Sequence, residues 1–175
     1  MTRRAAAIAS RLLALSLTML ILAATPGAQD TLRGQWRAFD GSWSASGLRQ
    51  TIPTESDRPA AVAHLSGAVV LSNGAGIVAG FTGEAVGFDD GTNVTTGRAV
   101  WTDSAGDRIF SALHGGPLQT GRRITGTITG GTGRWAGVTG EYELTWQYVV
   151  SGEGESIQGR AVDLRGRLRW PESPP

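Results

Sequence analysis

The chain has no cysteine, which excludes a disulfide framework and a lipid-modified amino-terminal cysteine anchor. Lysine is absent too, so every basic residue is an arginine. His64 and His114 are the only histidines, and without thiols they are too few for a transition-metal site. No G-x-S-x-G frame surrounds a serine: Gly41-Ser42-Trp43 and Leu65-Ser66-Gly67 lack it. Gly130 to Gly133 is not followed by Gly-Lys-Ser/Thr and fits no G-x-G-x-x-G pattern, so it is no nucleotide cradle. The acidic turns at Asp89-Asp90-Gly91 and Asp103 to Asp107 miss the EF-hand spacing. No metal and no cofactor are expected, and no motif names a reaction. Beyond the first 28 residues no segment sustains a 3.6-residue apolar period, which removes amphipathic helices from consideration.

What the chain does have begins with Arg3, Arg4 and Arg11, then an uncharged apolar run from Leu12 to Ala24, then Thr25-Pro26-Gly27-Ala28. That order reads as a secretory signal over residues 1–28, and the run is short of the roughly 18 to 20 residues a membrane-crossing helix needs. A secreted or periplasmic product with no remaining anchor is expected. Arg3-Arg4 leaves general and twin-arginine export both open. Without those three arginines, 13 arginines face 15 acids, a net charge of −2 that argues against nucleic acid as a partner. Residues 29–170 suit one domain, followed by a loose tail at 171–175.

Turn residues cut the domain into short runs rich in Val, Ile, Thr and aromatics. The spacing predicts strands near 61–71, 77–88, 94–102, 108–114, 122–129, 141–150 and 157–170, with Leu32 to Ile52 adding one bent strand or two short ones. About eight strands with short connections point to an all-β fold, a closed antiparallel up-and-down barrel without free edges.

If every connector has an odd number of residues, opposed partners share parity and all even-numbered side chains face one side. From residue 122 onward that even face carries Ile124, Ile128, Tyr142, Leu144, Trp146, Tyr148, Leu164 and Leu168, against Glu141, Glu143, Arg165 and Arg167 on the odd face. The even face is therefore expected inside, together with Val62, Val86, Phe88, Val100 and Phe110. Leu65, Val69, Leu71, Phe81, Trp101 and Ile109 would then point outward. That much apolar surface predicts a homo-oligomer, a dimer or trimer, through the outer wall of residues 61–113, unless residues 30–60 fold over it.

The same parity brings His64, Glu84 and Arg98 together inside as candidate proton-transfer or polar-ligand groups, or alternatively as a satisfied ion pair closing one end. Tyr142, Trp146, Tyr148, Arg160, Phe88 and Phe110 would line the interior, either as a site for an apolar or amphiphilic small molecule or as plain core.

The run Ile128-Thr129-Gly130-Gly131-Thr132-Gly133, then Trp135, Gly137, Gly140 and Leu144, resembles the glycine turn between two strands of the allene oxide cyclase barrel and, more distantly, of dirigent proteins. The resemblance covers residues 125 to 146. It implies an eight-stranded, calycin-like barrel with a cavity for an apolar molecule, and trimers packed through barrel walls. Gly34-Gln35-Trp36 is similar to the Gly-x-Trp of lipocalins, in which the tryptophan packs on a late-strand arginine; Arg165, Arg167 or Arg169 could serve. The primary reading is an exported ligand-binding barrel. The alternatives are a cofactor-free cyclase or isomerase and a filled structural barrel of an envelope or matrix.

Overall fold

The computed structural model describes residues 34–55, 58–92, 94–116, 121–151 and 155–172. The expected signal segment falls outside them. Eight strands follow one another: β1 Arg37–Ile52, β2 Ala60–Asn73, β3 Gly76–Asp89, β4 Thr95–Asp103, β5 Arg108–Gly115, β6 Arg122–Gly131, β7 Thr139–Ser151 and β8 Ser156–Arg169. Each pairs antiparallel with the next, and β1 closes on β8 with Arg37 opposite Leu168 and Ser44 opposite Arg160. The expected up-and-down barrel is the fold, and Leu32 to Ile52 supplies one strand.

Glycines let large rings lie flat against the inner wall. A Cβ on Gly126 would run into the Tyr142 ring, one on Gly159 into Trp146, and one on Gly83 into Val69 and the Trp43 indole. The rings then meet one another across the core: Trp43 and Trp146 are 5.4 Å apart between centroids, Trp101 and Tyr142 4.8 Å, and Phe81 and Trp101 6.0 Å. Such contacts contribute on the order of 1 kcal/mol each beyond the area they bury.

The shared even-numbered interior does not hold along the whole chain. Gly115 stands opposite Ile124 and Ser111 opposite Ile128, so the β5–β6 hairpin pairs odd residues with even ones. Inside are therefore Leu65, Val69, Leu71, Phe81, Trp101 and Ile109 from β2 to β5, and Ile128, Tyr142, Leu144 and Trp146 from β6 and β7. In β8 the face changes again at Asp163, a bulge residue with φ 53° that shifts the register toward both neighbours. Leu164 and Leu168 point in on one side of it, and Ile157 and Ala161 on the other.

The glycine-rich connector after β6 is more than a turn. Gly133–Trp135 forms one turn of 3-10 helix that sets Trp135 into the end of the barrel against Phe81, 5.5 Å away. Asp103, the last residue of β4, holds it there: one carboxylate oxygen accepts from Trp135 Nε1 at 2.8 Å and Arg134 Nε at 2.7 Å. The other oxygen accepts from the amides of Ala105 and Asp107 at 2.8 and 3.1 Å. Burial pushes the Asp103 carboxyl up, but these four donors outweigh it and hold the group below the usual carboxylate range. Trp170 stacks on the outer face of Trp135 at 5.6 Å and donates to the Arg134 carbonyl. This end is plugged.

Candidate functional site

The opposite end of the barrel, where β1, β3, β5 and β7 finish, has a different lining. On β1 to β4 its inward positions are mostly small, Ala45 and Gly47 on β1, Ala61 and Ala63 on β2, Ala85 and Gly87 on β3, Gly97 and Ala99 on β4, with Leu65, Leu113, Ile124 and Ile157 as the larger residues facing in. At Gly87 a Cβ would meet only Thr96 O at 3.7 Å and Thr95 Cγ2 at 3.8 Å, ordinary contacts that leave room on the inner side. Trp146 forms the floor, with Tyr148 edge-on to it at 6.0 Å.

Four polar side chains gather at this end. Asp89 and Thr95 are cross-strand partners, buried at 1% and 5% exposure. Asp89 accepts from the Gly91 amide at 3.0 Å and faces the Arg58 guanidinium at 3.6 Å, and Arg58 also donates to the Thr92 carbonyl, so the acid ties down the segments around it. Thr95 Oγ1 is buried with no hydrogen-bond partner, as is Nε of Arg49. Arg49 lies opposite the inward Ala63. Burial pushes the Tyr148 phenol up; the Arg49 charge opposes that shift and the Asp89 charge adds to it, which puts all three groups within electrostatic reach. Tyr142, deeper in, is pushed up to about 12 by burial while Ser111 hydrogen-bonds to it in opposition.

The residues singled out from sequence divide between the two faces. Tyr142 and Trp146 are buried inside, and Tyr148 is half-buried against the core. His64, Glu84 and Arg98 lie on the outer wall and are exposed. The expected pairings are also displaced by two residues, since Glu84 stands opposite Ser66 and Val100, and Arg98 opposite Val86. Phe88 is 48% exposed and Phe110 partly exposed, both outside because β3 and β5 turn their odd residues inward. Arg160 is outside too, sent there by the Asp163 bulge, and reaches Gln147 at 3.4 Å. Arg49 and Thr95 carry no expectation from sequence, and Asp89 enters there only as part of an acidic turn. The available signal was that the odd face of residues 61–113, with Phe81, Trp101 and Ile109, is the bulkier one.

An outer groove of about 910 Å³ runs over β6, β7, β8 and β1. Most of its charges are paired with each other: Arg165 meets Glu143 at 2.6 Å, Arg167 meets Glu141 at 2.6 Å, and Arg123 adds a contact to Glu143 at 3.3 Å, while Asp40 also lines it. Trp36 lies beside it with Arg167 and Arg169 over its ring at 4.6 and 4.7 Å, a packing of early tryptophan on late arginines on the outside of the wall.

No family model matches the chain, and no curated protein does. Among solved structures it is similar to a pyocyanin demethylase, at 18% identity over 73% of this chain and all of that one, with a TM-score of 0.39. That likeness is too distant to carry a fold or a function across. No comparison supports the cyclase or dirigent resemblance, and what the described residues show is the closed eight-stranded antiparallel barrel.

Proposed function

We propose that this barrel binds an apolar or amphiphilic small molecule in the small-residue half of its interior, with the polar part of the ligand at Arg49, Thr95 and Tyr148. The observation that carries the reading is the contrast between the two ends. One is filled by Trp135 and pinned by Asp103, whereas the other is walled on β1 to β4 mainly by alanine and glycine and holds the buried, unpartnered Thr95 hydroxyl; an unpartnered guanidinium nitrogen occurs at both ends, Arg49 Nε here and Arg37 Nε at the plug. Export fits the basic and then apolar start of the chain. Native mass spectrometry of protein purified from its own host tests the reading: a co-purified mass that survives desalting and is lost on denaturation is expected. Protein that arrives ligand-free and takes up no apolar probe sinks it. A rearrangement steered inside the barrel by Glu84 and Arg98 is not proposed, because both side chains lie outside.

We also propose that a second copy of the chain covers the outer wall of β1 to β5. Leu48, Val62, Val86 and Phe88 are each about half exposed there. Val62 stands opposite Phe88, while Leu48 and Val86 flank His64, so the four are contiguous. Glu84 and Arg98 sit diagonally on that wall, and a two-fold operation would bring the acid of each copy to the base of the other. Light scattering is expected to give twice the monomer mass, and Val86→Glu to return it to one. A wild-type monomer at tens of micromolar overturns the pairing.

A further inference from the structure

Binding inside the barrel, if that reading holds, leaves open which chemical class of amphiphile is taken. Among the described residues Asp89, Arg58 and Arg49 are charged groups at the small-residue end, and the first two are matched to each other. Asp89 faces Arg58 and caps the Gly91 amide. Among the described residues Arg49 forms no ion pair, and its Nε is buried without a hydrogen-bond partner. The acid next along the wall is engaged elsewhere: Glu155 offers its main-chain carbonyl to the Arg49 amide at 2.7 Å, while its carboxylate takes the outward Gln50 side chain at 3.2 Å. Among the described residues this end therefore keeps one positive charge without a protein counter-ion. A guanidinium presents a planar fork of donors that matches a carboxylate.

We propose that the ligand is an amphiphile with a carboxylate head, held at the chamber mouth by the Arg49 guanidinium with its apolar body over Gly87 toward Trp146. The Tyr148 hydroxyl and Thr95 Oγ1 are the neutral polar groups beside the head. A neutral amphiphile of the same length would leave the Arg49 charge unmatched, and a cationic one would face it directly. The chamber thus selects by charge first and by shape second.

The test uses N-phenyl-1-naphthylamine, a neutral fluorescent reporter of apolar sites, displaced by decanoate or by decanol. The wild-type chain is expected to bind the reporter and to release it to decanoate at lower concentration than to decanol. Arg49→Gln is expected to weaken decanoate about tenfold or more and to leave decanol within a factor of two. Gly87→Leu, at a position where an added Cβ makes only ordinary contacts, is expected to abolish reporter binding while circular dichroism still shows the folded barrel. Equal competition by decanoate in wild type and Arg49→Gln overturns the carboxylate assignment and leaves interior binding standing. Reporter binding that survives Gly87→Leu, or is absent from wild type, overturns interior binding itself and the head-group assignment with it.

Discussion

Gly126→Ala is a one-methyl change whose cost follows from the wall it enters. The new Cβ would overlap Cζ and both Cε atoms of Tyr142, whose ring is 4% exposed and so has little space to retreat. That ring is held from its other side by Trp101, 4.8 Å between centroids, and by the hydrogen bond with Ser111. Moving it gives up part of the ring contact, about 0.5 to 1.5 kcal/mol. It also leaves Ser111 and the phenol short of a partner in a dry interior, about 1 to 3 kcal/mol. Against this, alanine restricts the unfolded chain and returns roughly 0.5 to 1 kcal/mol. The steric side wins, and a net loss of about 2 to 3 kcal/mol is expected, within the usual range for overpacking. For a domain of this size that lowers the melting temperature by roughly 6 to 10 °C. Urea unfolding followed by tryptophan fluorescence measures it, and a double-mutant cycle assigns it. Tyr142→Ala alone should cost about 3 to 5 kcal/mol, but in that background Gly126→Ala should become neutral or slightly stabilising. A Gly126→Ala penalty that persists without the Tyr142 ring would refute the account.

Further outcomes follow from the titrating and strained groups. Both tyrosines of the chain titrate high, Tyr142 at about 12 and Tyr148 in the same direction. Absorbance at 295 nm should therefore show little tyrosinate near pH 10 in the folded barrel. Above the unfolded value near 10 the unfolded state loses protons that the folded state keeps, so stability falls as pH rises from there toward 12. A full tyrosine titration at pH 10 without unfolding would contradict the buried placement. The Asp103 carboxyl, held low by Trp135, Arg134 and the turn amides, should stabilise the plug above its unfolded value near 4 and release it as pH falls through its folded value. Asp103→Asn should remove that acid-dependent step from the tryptophan emission, and an unchanged acid profile would count against the plug. Asp163→Gly should be neutral or stabilising by up to about 1 kcal/mol, because φ 53° costs an L residue but not glycine, while Asp163→Val should destabilise; chemical denaturation of both distinguishes a true bulge from an ordinary strand position.

The strand count and order were legible because both are written locally, in period-two runs and in turns such as Ser72-Asn73-Gly74 and Asp103 to Asp107. The identity of the inner face was not. It depends on whether each hairpin adds an odd or even number of residues, and one even connection between Gly115 and Ile124 exchanges the faces of four strands. Asp163 does the same within β8, and nothing in its sequence neighbourhood announces a bulge. Hence Glu84, Arg98 and His64, with Phe88 and Phe110, were assigned inside and stand outside. The neighbouring Asp89 and Thr95, one position off in parity, were passed over. The apolar outer wall came through the exchange because both faces of β2 to β4 carry aliphatic residues; only the names on it changed. Trp135 was read as part of a turn, since its role depends on Asp103, which lies 32 positions earlier and approaches only once the barrel closes.

The Trp135 plug divides the molecule into two halves with separate obligations. At its end the β4–β5 turn and the β6–β7 connector are committed to holding an indole in place, so alteration there should be felt as lost stability. Under the proposed interior binding, a lineage could recharge the wall at the opposite end to admit a different guest without reopening this one. A guest taken up under that reading would enter and leave by one door, and only that door could be fitted with a new lock.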